Sequence, residues 1–201
     1  MTTPRDLMTT AMDESPSRPV AQGELSLALA GAELIDLLAA EAVTLDGDLI
    51  VPGIRTLLDD ALLDQAAASL AREQPFESVE DWLWRRGRDL AATYAAAFAS
   101  EGRLTRERRR WVPVRTDQVV VADSQDHRNA HDRWAAHEPV LTALATAAGI
   151  RANDVESPPG SADDAVGAVL AAVDNAVTEL EAVRRRRAIE QAAYDNIWRV
   201  P

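Results

Sequence analysis

The sequence predicts a mainly α-helical protein that folds as a single helical domain with two short β-hairpins. Apolar residues recur at steps of three and four along most of the chain, which is the spacing of one helix face. Two pairs of short strand-like segments flank turn residues. The 201 residues and the hydrophobic content of 47% suit one hydrophobic core. We expect a flexible N-terminal segment over residues 1–22 and a single domain over residues 23–201.

The most apolar predicted helix lies near the start of this domain. Leu27, Ala30, Leu34 and Leu38 form one stripe, and the opposite face is also largely apolar. A helix that is apolar nearly all round is buried, so we place this one in the core.

The remaining helices are predicted from the same spacing and from capping residues. Ser78 suits a helix start, because its side-chain oxygen can accept from first-turn amides. Gly102 and Gly149 suit helix ends. The longest apolar stripe runs from Val166 to Val183, about five helical turns. Helices are predicted near residues 58–70, after residue 78, and over residues 90–101, 126–137, 139–148 and 166–183.

Turn chemistry indicates the two hairpins. Asp46-Gly47 is a strong hairpin signal between residues 43–45 and 49–51. The second hairpin is predicted to pair residues 103–105 with residues 110–114, with residues 119–121 as a candidate third strand. Pro113 lacks an amide hydrogen, so its strand is expected at an edge or a bulge.

Composition excludes several classes of chemistry. The chain has no Cys, which excludes disulfides, thiol nucleophiles and Cys-ligated metals. All 21 basic residues are Arg, so neither a P-loop lysine nor a Schiff-base lysine is present. The preference for Arg and Ala is typical of a GC-rich bacterial genome. The N-terminal sequence lacks the pattern of a signal peptide, and no apolar run reaches membrane-spanning length. We therefore expect a cytoplasmic protein, with membrane association at most peripheral.

Charge is unevenly distributed along the chain. The net charge is −12, yet residues 81–115 hold nine Arg and four acidic residues, a net +5. Arg forks bind phosphate oxygens bidentately and Trp suits a membrane interface, so an anionic surface is the expected partner of this segment. The candidate residues for binding a lipid headgroup are Trp84, Arg85, Arg86, Arg88, Arg106, Arg108, Arg109, Arg110 and Trp111. The alternative is a solvated Arg-rich surface.

Two histidines on one helix face raise the question of a metal site or a catalytic site. His127 and His131 are four residues apart, and Asp123 precedes them. The metalloprotease pattern would need a glutamate beside the first His, which is missing. Ser124 lies too close in sequence for triad geometry and is not part of a G-x-S-x-G elbow. We expect no metal, no cofactor and no catalytic residue.

Two further charged clusters are expected to be structural. Asp59, Asp60 and Asp64 suit the first turn of a helix, where the helix dipole favours negative charge. The four arginines at 184–187 cover a full helical turn, with acidic neighbours available as partners; the alternative is a second contact with an anion.

The order of several motifs resembles the Golgi phosphoprotein 3 family over about residues 22–125. These motifs are Gly31-Ala32-Glu33-Leu34-Ile35-Asp36-Leu37, Asp46-Gly47, Leu57-Leu58-Asp59-Asp60-Ala61-Leu62, Ser78-Val79-Glu80-Asp81-Trp82 and Gly102-Arg103-Leu104-Thr105. The resemblance implies a mainly helical fold with hairpins, no catalysis and peripheral membrane binding. Eukaryotic members of that family recognise phosphatidylinositol 4-phosphate through a Trp and several Arg.

Only part of that lipid pocket is carried over. Arg88 falls on one pocket arginine, whereas Ala30 and Ala91 fall where two others are expected, and Ala21 falls near the Trp. The resemblance therefore implies binding of anionic headgroups with little discrimination among them.

The sequence suggests two candidate functions. The first is a non-enzymatic peripheral membrane or adaptor protein that binds anionic lipid headgroups, phosphoinositides included, or a protein partner. The alternative is a winged-helix-like nucleic-acid-binding protein, because a helix followed by a hairpin occurs twice, at Leu27–Val51 and Leu90–Val114. The net charge of −12 opposes the alternative, since phosphate contacts dominate such binding. The sequence does not predict the oligomeric state.

Overall fold

The computed structural model describes residues 2–13, 20–54, 58–108, 117–150 and 164–197. Within these ranges it has eight helices and two antiparallel hairpins, which confirms the mainly α class. The helices are α1 (Thr3–Asp13), α2 (Gln22–Ala39), α3 (Ala61–Ala68), α4 (Val79–Arg86), α5 (Leu90–Ser100), α6 (Gln125–Ala135), α7 (Pro139–Ala147) and α8 (Asp164–Ile197). The strands are β1 (Val43–Asp46), β2 (Leu49–Pro52), β3 (Leu104–Arg108) and β4 (Asp117–Val121).

Helix α2 is the centre of the core, as its all-round apolar sequence predicts. It packs against α1, α4, α5, α7 and α8. Thirteen of its 18 residues are buried. The closest packing is with α8, where a Cβ atom on Gly31 would lie 2.4 Å from Cγ2 of Val173. A side chain at residue 31 would hold the two helices apart.

Helix α1 occupies part of the segment that the sequence analysis predicts to be flexible. Residues 3–13 are helical and bury Leu7 completely in the core shared with α2, α6 and α7. Partners far along the chain add polar anchors: Oδ2 of Asp36 accepts from the Thr3 amide at 2.8 Å, and Asp6 pairs with Arg133. The short apolar stripe of α1 is by itself a weak indication of an ordered helix. The polar anchors that hold α1 come from other helices and cannot be predicted from the local sequence. The division into residues 1–22 and 23–201 stays a prediction.

The first hairpin is confirmed and the second is paired differently from the prediction. In the first, Asp46 is opposite Leu49 across the turn. In the second, β3 pairs with β4, so that Leu104 is opposite Val121. The partner of β3 is therefore the predicted third strand, and the predicted strand at residues 110–114 lies outside the described residues.

Helix α8 consists of a packed half and a projecting half. Val169, Val173 and Val177 are buried against the α2 side of the core. From Glu181 to Ala192 every side chain is exposed. The long helix predicted from residue 166 is confirmed, and it continues well past the core.

Candidate functional site

The three arginines at the end of α4 have three different environments. Arg85 and Arg86 form its last turn, and Arg88 lies in the short connection to α5. Consecutive helical residues point in directions about 100° apart, so neighbours in sequence do not share a surface. Each arginine is therefore described separately.

Arg86 is part of a buried polar network. Its guanidinium binds both carboxylate oxygens of Glu33, with Nε–Oε2 2.7 Å and Nη2–Oε1 2.9 Å. Glu33 is completely buried and also accepts from the hydroxyl of Tyr94 at 3.0 Å. Burial raises the pKa of Glu33, and Arg86 and Tyr94 oppose that shift. The Arg86 fork is thus occupied inside the protein, and we leave Arg86 out of the proposed lipid site.

Arg85 is held on the protein surface. It binds Glu77 through two hydrogen bonds of 2.6 and 2.7 Å. Its guanidinium carbon lies 5.2 Å from the ring centroid of Trp82, a cation–π distance. The hydrogen bonds that Arg85 donates to Glu77 raise the pKa of Arg85. With 44% of its side chain exposed, Arg85 could reach an anion only in competition with Glu77.

The two tryptophans of α4 pack inward. Trp82 is completely buried, and its indole N–H donates to the carbonyl of Ala30 at 3.1 Å. Trp84 is half-buried against the same core. Since its ring is largely occupied by core packing, little of Trp84 is available to a membrane.

Arg88 differs from its neighbours because it is exposed and forms no ion pair with any residue that the structure describes. The chain beside it packs on the start of α2. A Cβ atom on Gly87 would lie 3.3 Å from the carbonyl oxygen of Ser26, and the Ala91 amide donates to Oγ of Ser26 at 3.0 Å. The backbone at residue 88 therefore lies near the N-terminal end of the central helix.

That helix end lacks a side-chain cap. Ala21 is the N-cap residue and has no oxygen to offer to the first-turn amides of α2. Arg184 of α8 lies against the same turn: a Cβ atom on Gly23 would lie 2.6 Å from its Nη2 atom. Arg184 also pairs with the carboxylate of Glu24. The uncapped first turn of α2 thus contacts Arg184, and the chain on either side of Arg88 packs against Ser26 of the same helix. We name Gln22, Gly23, Glu24, Arg88 and Arg184 the α2 N-terminal site.

The hairpin candidates stay predictions. Arg106 and Arg108 lie on β3, but the side chains of residues 105–120 are outside the described part of the structure. Arg109, Arg110 and Trp111 lie outside the described residues altogether.

Arg103, just before β3, contacts other residues of the protein. Its guanidinium lies 4.8 Å from the ring centroid of Phe98 and pairs with Asp126 at 3.1 Å.

The histidine and serine candidates have structural contacts. Nε2 of His127 lies 2.9 Å from Oδ2 of Asp13, which joins α6 to α1. Oγ of Ser124 accepts from the His127 amide at 3.1 Å as the N-cap of α6. In the described residues no three His, Asp or Glu side chains are grouped so that they could hold a metal ion.

The remaining acidic and basic clusters also have partners. Asp60 caps α3, accepting from the amides of Leu62 and Leu63, and it pairs with Arg5. Arg185 pairs with Glu181 one turn earlier, as the sequence predicts.

A helical core with two separate hairpins, in which the described charged clusters are mainly helix caps and ion pairs, defines a mainly α-helical domain. Over the described ranges no helix combines the length and apolarity needed to cross a bilayer. The chain belongs to the Golgi phosphoprotein 3 (GPP34) family, whose model matches residues 4–192. Membership of this adaptor family fits a non-enzymatic adaptor role. A search of the curated proteins gives no match.

Proposed function

We propose that the protein is an adaptor that docks on anionic membranes and holds a lipid phosphate at the α2 N-terminal site. The observation that carries the proposal is Arg88, an exposed residue with no ion pair among the described residues, whose neighbours Gly87 and Ala91 pack against Ser26 of the helix with the uncapped end. Free amides and the positive end of the helix dipole favour an anion at this position.

The surrounding residues support a weak and unselective site. Glu24 lies in the first turn and pairs with Arg184, so an arriving phosphate would share Arg184 with a carboxylate. Ala30 and Ala91 occupy the positions where the family's other pocket arginines are expected, and both are buried. One free arginine can supply charge attraction but not a multidentate pocket. We expect phosphatidylserine and phosphatidylinositol 4-phosphate to bind with similar strength at equal surface charge.

Family membership favours this proposal over a winged-helix nucleic-acid-binding protein. The two hairpins form separate two-stranded sheets. The net charge of −12 also opposes binding along a nucleic acid more than it opposes binding at a site that depends on one local cluster of positive charge.

The test is co-sedimentation with anionic vesicles at low and physiological salt. Arg88→Ala should weaken binding about tenfold at low salt, which corresponds to about 1.4 kcal/mol. Screening should reduce the difference as salt rises. Arg72→Ala is the matched control, because Arg72 is also exposed and without an ion pair in the described residues but lies in the connection after α3.

Two further arms separate the alternatives. The triple variant Arg108→Ala, Arg109→Ala and Arg110→Ala tests the hairpin in the same assay. A DNA shift assay with the unmodified protein tests the winged-helix alternative. Equal vesicle binding by the Arg88→Ala variant and the unmodified protein would refute the α2 N-terminal site.

A further inference from the structure

Helix α8 presents one exposed face from Ala171 to Ile189. At about 100° per residue, Ala171, Asn175, Ala182 and Ile189 lie within about 40° of one another around the helix. All four are exposed, whereas the opposite face carries the buried valines of the core. The exposed face continues unbroken from the packed half of α8 into the projecting half.

The packed half of this face borders an acidic groove. The groove has a volume of about 330 Å³ and lies between α8, the turn of the first hairpin and the start of α4. Alanines 168, 172 and 176 form its α8 wall, and the carboxylates of Asp48, Glu80 and Glu179 line it. None of the three carboxylates forms an ion pair with a residue that the structure describes. The groove therefore offers small apolar walls and unneutralised negative charge.

The projecting half carries the complementary features. Arg186 is exposed and forms no ion pair with the residues described here. One turn further, Ile189 is 70% exposed on the same side of the helix. Residues 181–197 extend about 25 Å at 1.5 Å per residue, which is long enough to cover the packed half of another α8.

We propose that two copies of the chain pair through antiparallel α8 helices, with the projecting half of each seated on the acidic groove of the other. The partner is a second copy because its α8 supplies the arginine and the apolar side chain that the groove lacks. Two-fold symmetry forms every contact twice, so both grooves and both projecting halves are used.

The helix geometry fixes an approximate register. When Ile189 of one copy faces Ala172 of the other, Arg186 faces Asn175, and Glu179 is one turn away from that contact. Alanine at positions 168, 171, 172 and 182 allows the helix axes to approach closely. The same register brings the acidic half of each helix against the basic half of its partner. The pairing needs no lipid and stands apart from the α2 N-terminal site.

Charge reversal tests the pairing by sedimentation equilibrium over a range of concentrations. Arg186→Glu and Glu179→Arg should each weaken dimerisation at least about tenfold, because each places like charges together. The double variant should dimerise more strongly than Arg186→Glu alone, since the pair at positions 179 and 186 is re-formed with reversed signs while Asp48 and Glu80 remain in the groove. Arg187→Glu is the matched control, because Arg187 makes the same change of charge about 100° further round the helix.

Single cysteines give a second readout, because the chain has no Cys of its own. In the proposed register Ala182 lies near the two-fold axis, so Ala182→Cys should form disulfide-linked dimers under mild oxidation. Arg187→Cys should not, because that residue points away from the partner.

Three results would overturn the proposal. One is a protein that stays monomeric at all concentrations. Another is a double variant that fails to recover dimerisation. The third is an Arg186→Glu variant that loses vesicle binding while dimerising normally, which would assign the projecting half of α8 to the membrane.

Discussion

At the scale of single residues, Glu33 is the centre of the buried polar network. It is completely buried, and its carboxylate receives the guanidinium of Arg86 and the hydroxyl of Tyr94. A buried ion pair can cost as much in lost hydration as it returns in attraction, but removing one partner leaves a buried charge uncompensated. The network is therefore sensitive to loss of either member.

Arg86→Ala should lower the free energy of unfolding by about 3–5 kcal/mol. The control is Arg85→Ala, whose surface pair with Glu77 should be worth about 0–1 kcal/mol. Urea denaturation followed by circular dichroism measures both. Equal, small effects of the two substitutions would show that Glu33 does not depend on Arg86.

The raised pKa of Glu33 gives a pH prediction with a definite sign. The unfolded chain releases this proton at the ordinary carboxyl pKa, whereas the folded chain holds it to higher pH. The stability contribution of Glu33 should therefore fall as pH rises from the ordinary pKa through the raised one. The stability difference between the unmodified protein and Glu33→Gln, measured across that window, isolates this effect. A difference that grows in favour of the unmodified protein with rising pH would contradict the prediction.

The individual roles of the arginines could not be predicted from the sequence. Arg85, Arg86 and Arg88 look alike in the sequence, yet one binds Glu33, 53 residues away, and another has no ion pair among the described residues. Their difference depends on tertiary contacts that no local pattern encodes. Capping by Ser78 could be predicted, because an N-cap is a local interaction between a side chain and amides two or three residues later. Asp60, expected in the first turn of a helix, is the N-cap of α3.

At the scale of elements, the contact between α2 and α8 is set by a single glycine. Gly31 leaves no space for a side chain against Val173, whereas nothing within 4 Å would meet a Cβ atom on Gly167, at the start of α8. Both glycines lie in helices, so the intrinsic cost of glycine is the same for each.

Gly31→Ala and Gly167→Ala should change stability in opposite directions. Gly31→Ala should destabilise by about 1–3 kcal/mol because it overpacks the helix contact. Gly167→Ala should stabilise by about 0.5–1 kcal/mol, since alanine favours the helix and meets no obstacle. Thermal unfolding of both variants measures the two signs. Stabilisation by Gly31→Ala would mean that the two helices are less closely packed than the structure indicates.

Helices and strands were predicted correctly where the pattern involves neighbouring residues, and less well where the element depends on residues far away in the sequence. The all-round apolar pattern of α2 and the Asp46-Gly47 turn each need only neighbouring residues. Helix α1 and the pairing of β3 with β4 depend on remote partners: α1 is anchored by Asp36 and Arg133, and β4 begins nine residues after β3 ends.

At the scale of the whole molecule, charge sets the conditions for any docking. The protein carries a net charge of −12, so long-range repulsion from an anionic surface opposes the local attraction of Arg88. The proposed docking would therefore depend on orientation, with the α2 N-terminal site turned toward the membrane. Sequence composition predicted this overall conflict, but only the fold shows that Arg184 lies against the first turn of α2 and that the chain next to Arg88 packs against Ser26 of the same helix.

The two halves of α8 have a consequence for backbone amide exchange. The helix is continuous from Asp164 to Ile197, so its hydrogen bonds alone do not distinguish the halves. Amides near Val173 can open only with the core, whereas amides beyond Arg184, which pairs with Glu24, can fray without it. In dilute protein, deuterium uptake should be slow up to about residue 184 and fast beyond it. Rising protein concentration should slow uptake in residues 185–192 if a second copy covers them.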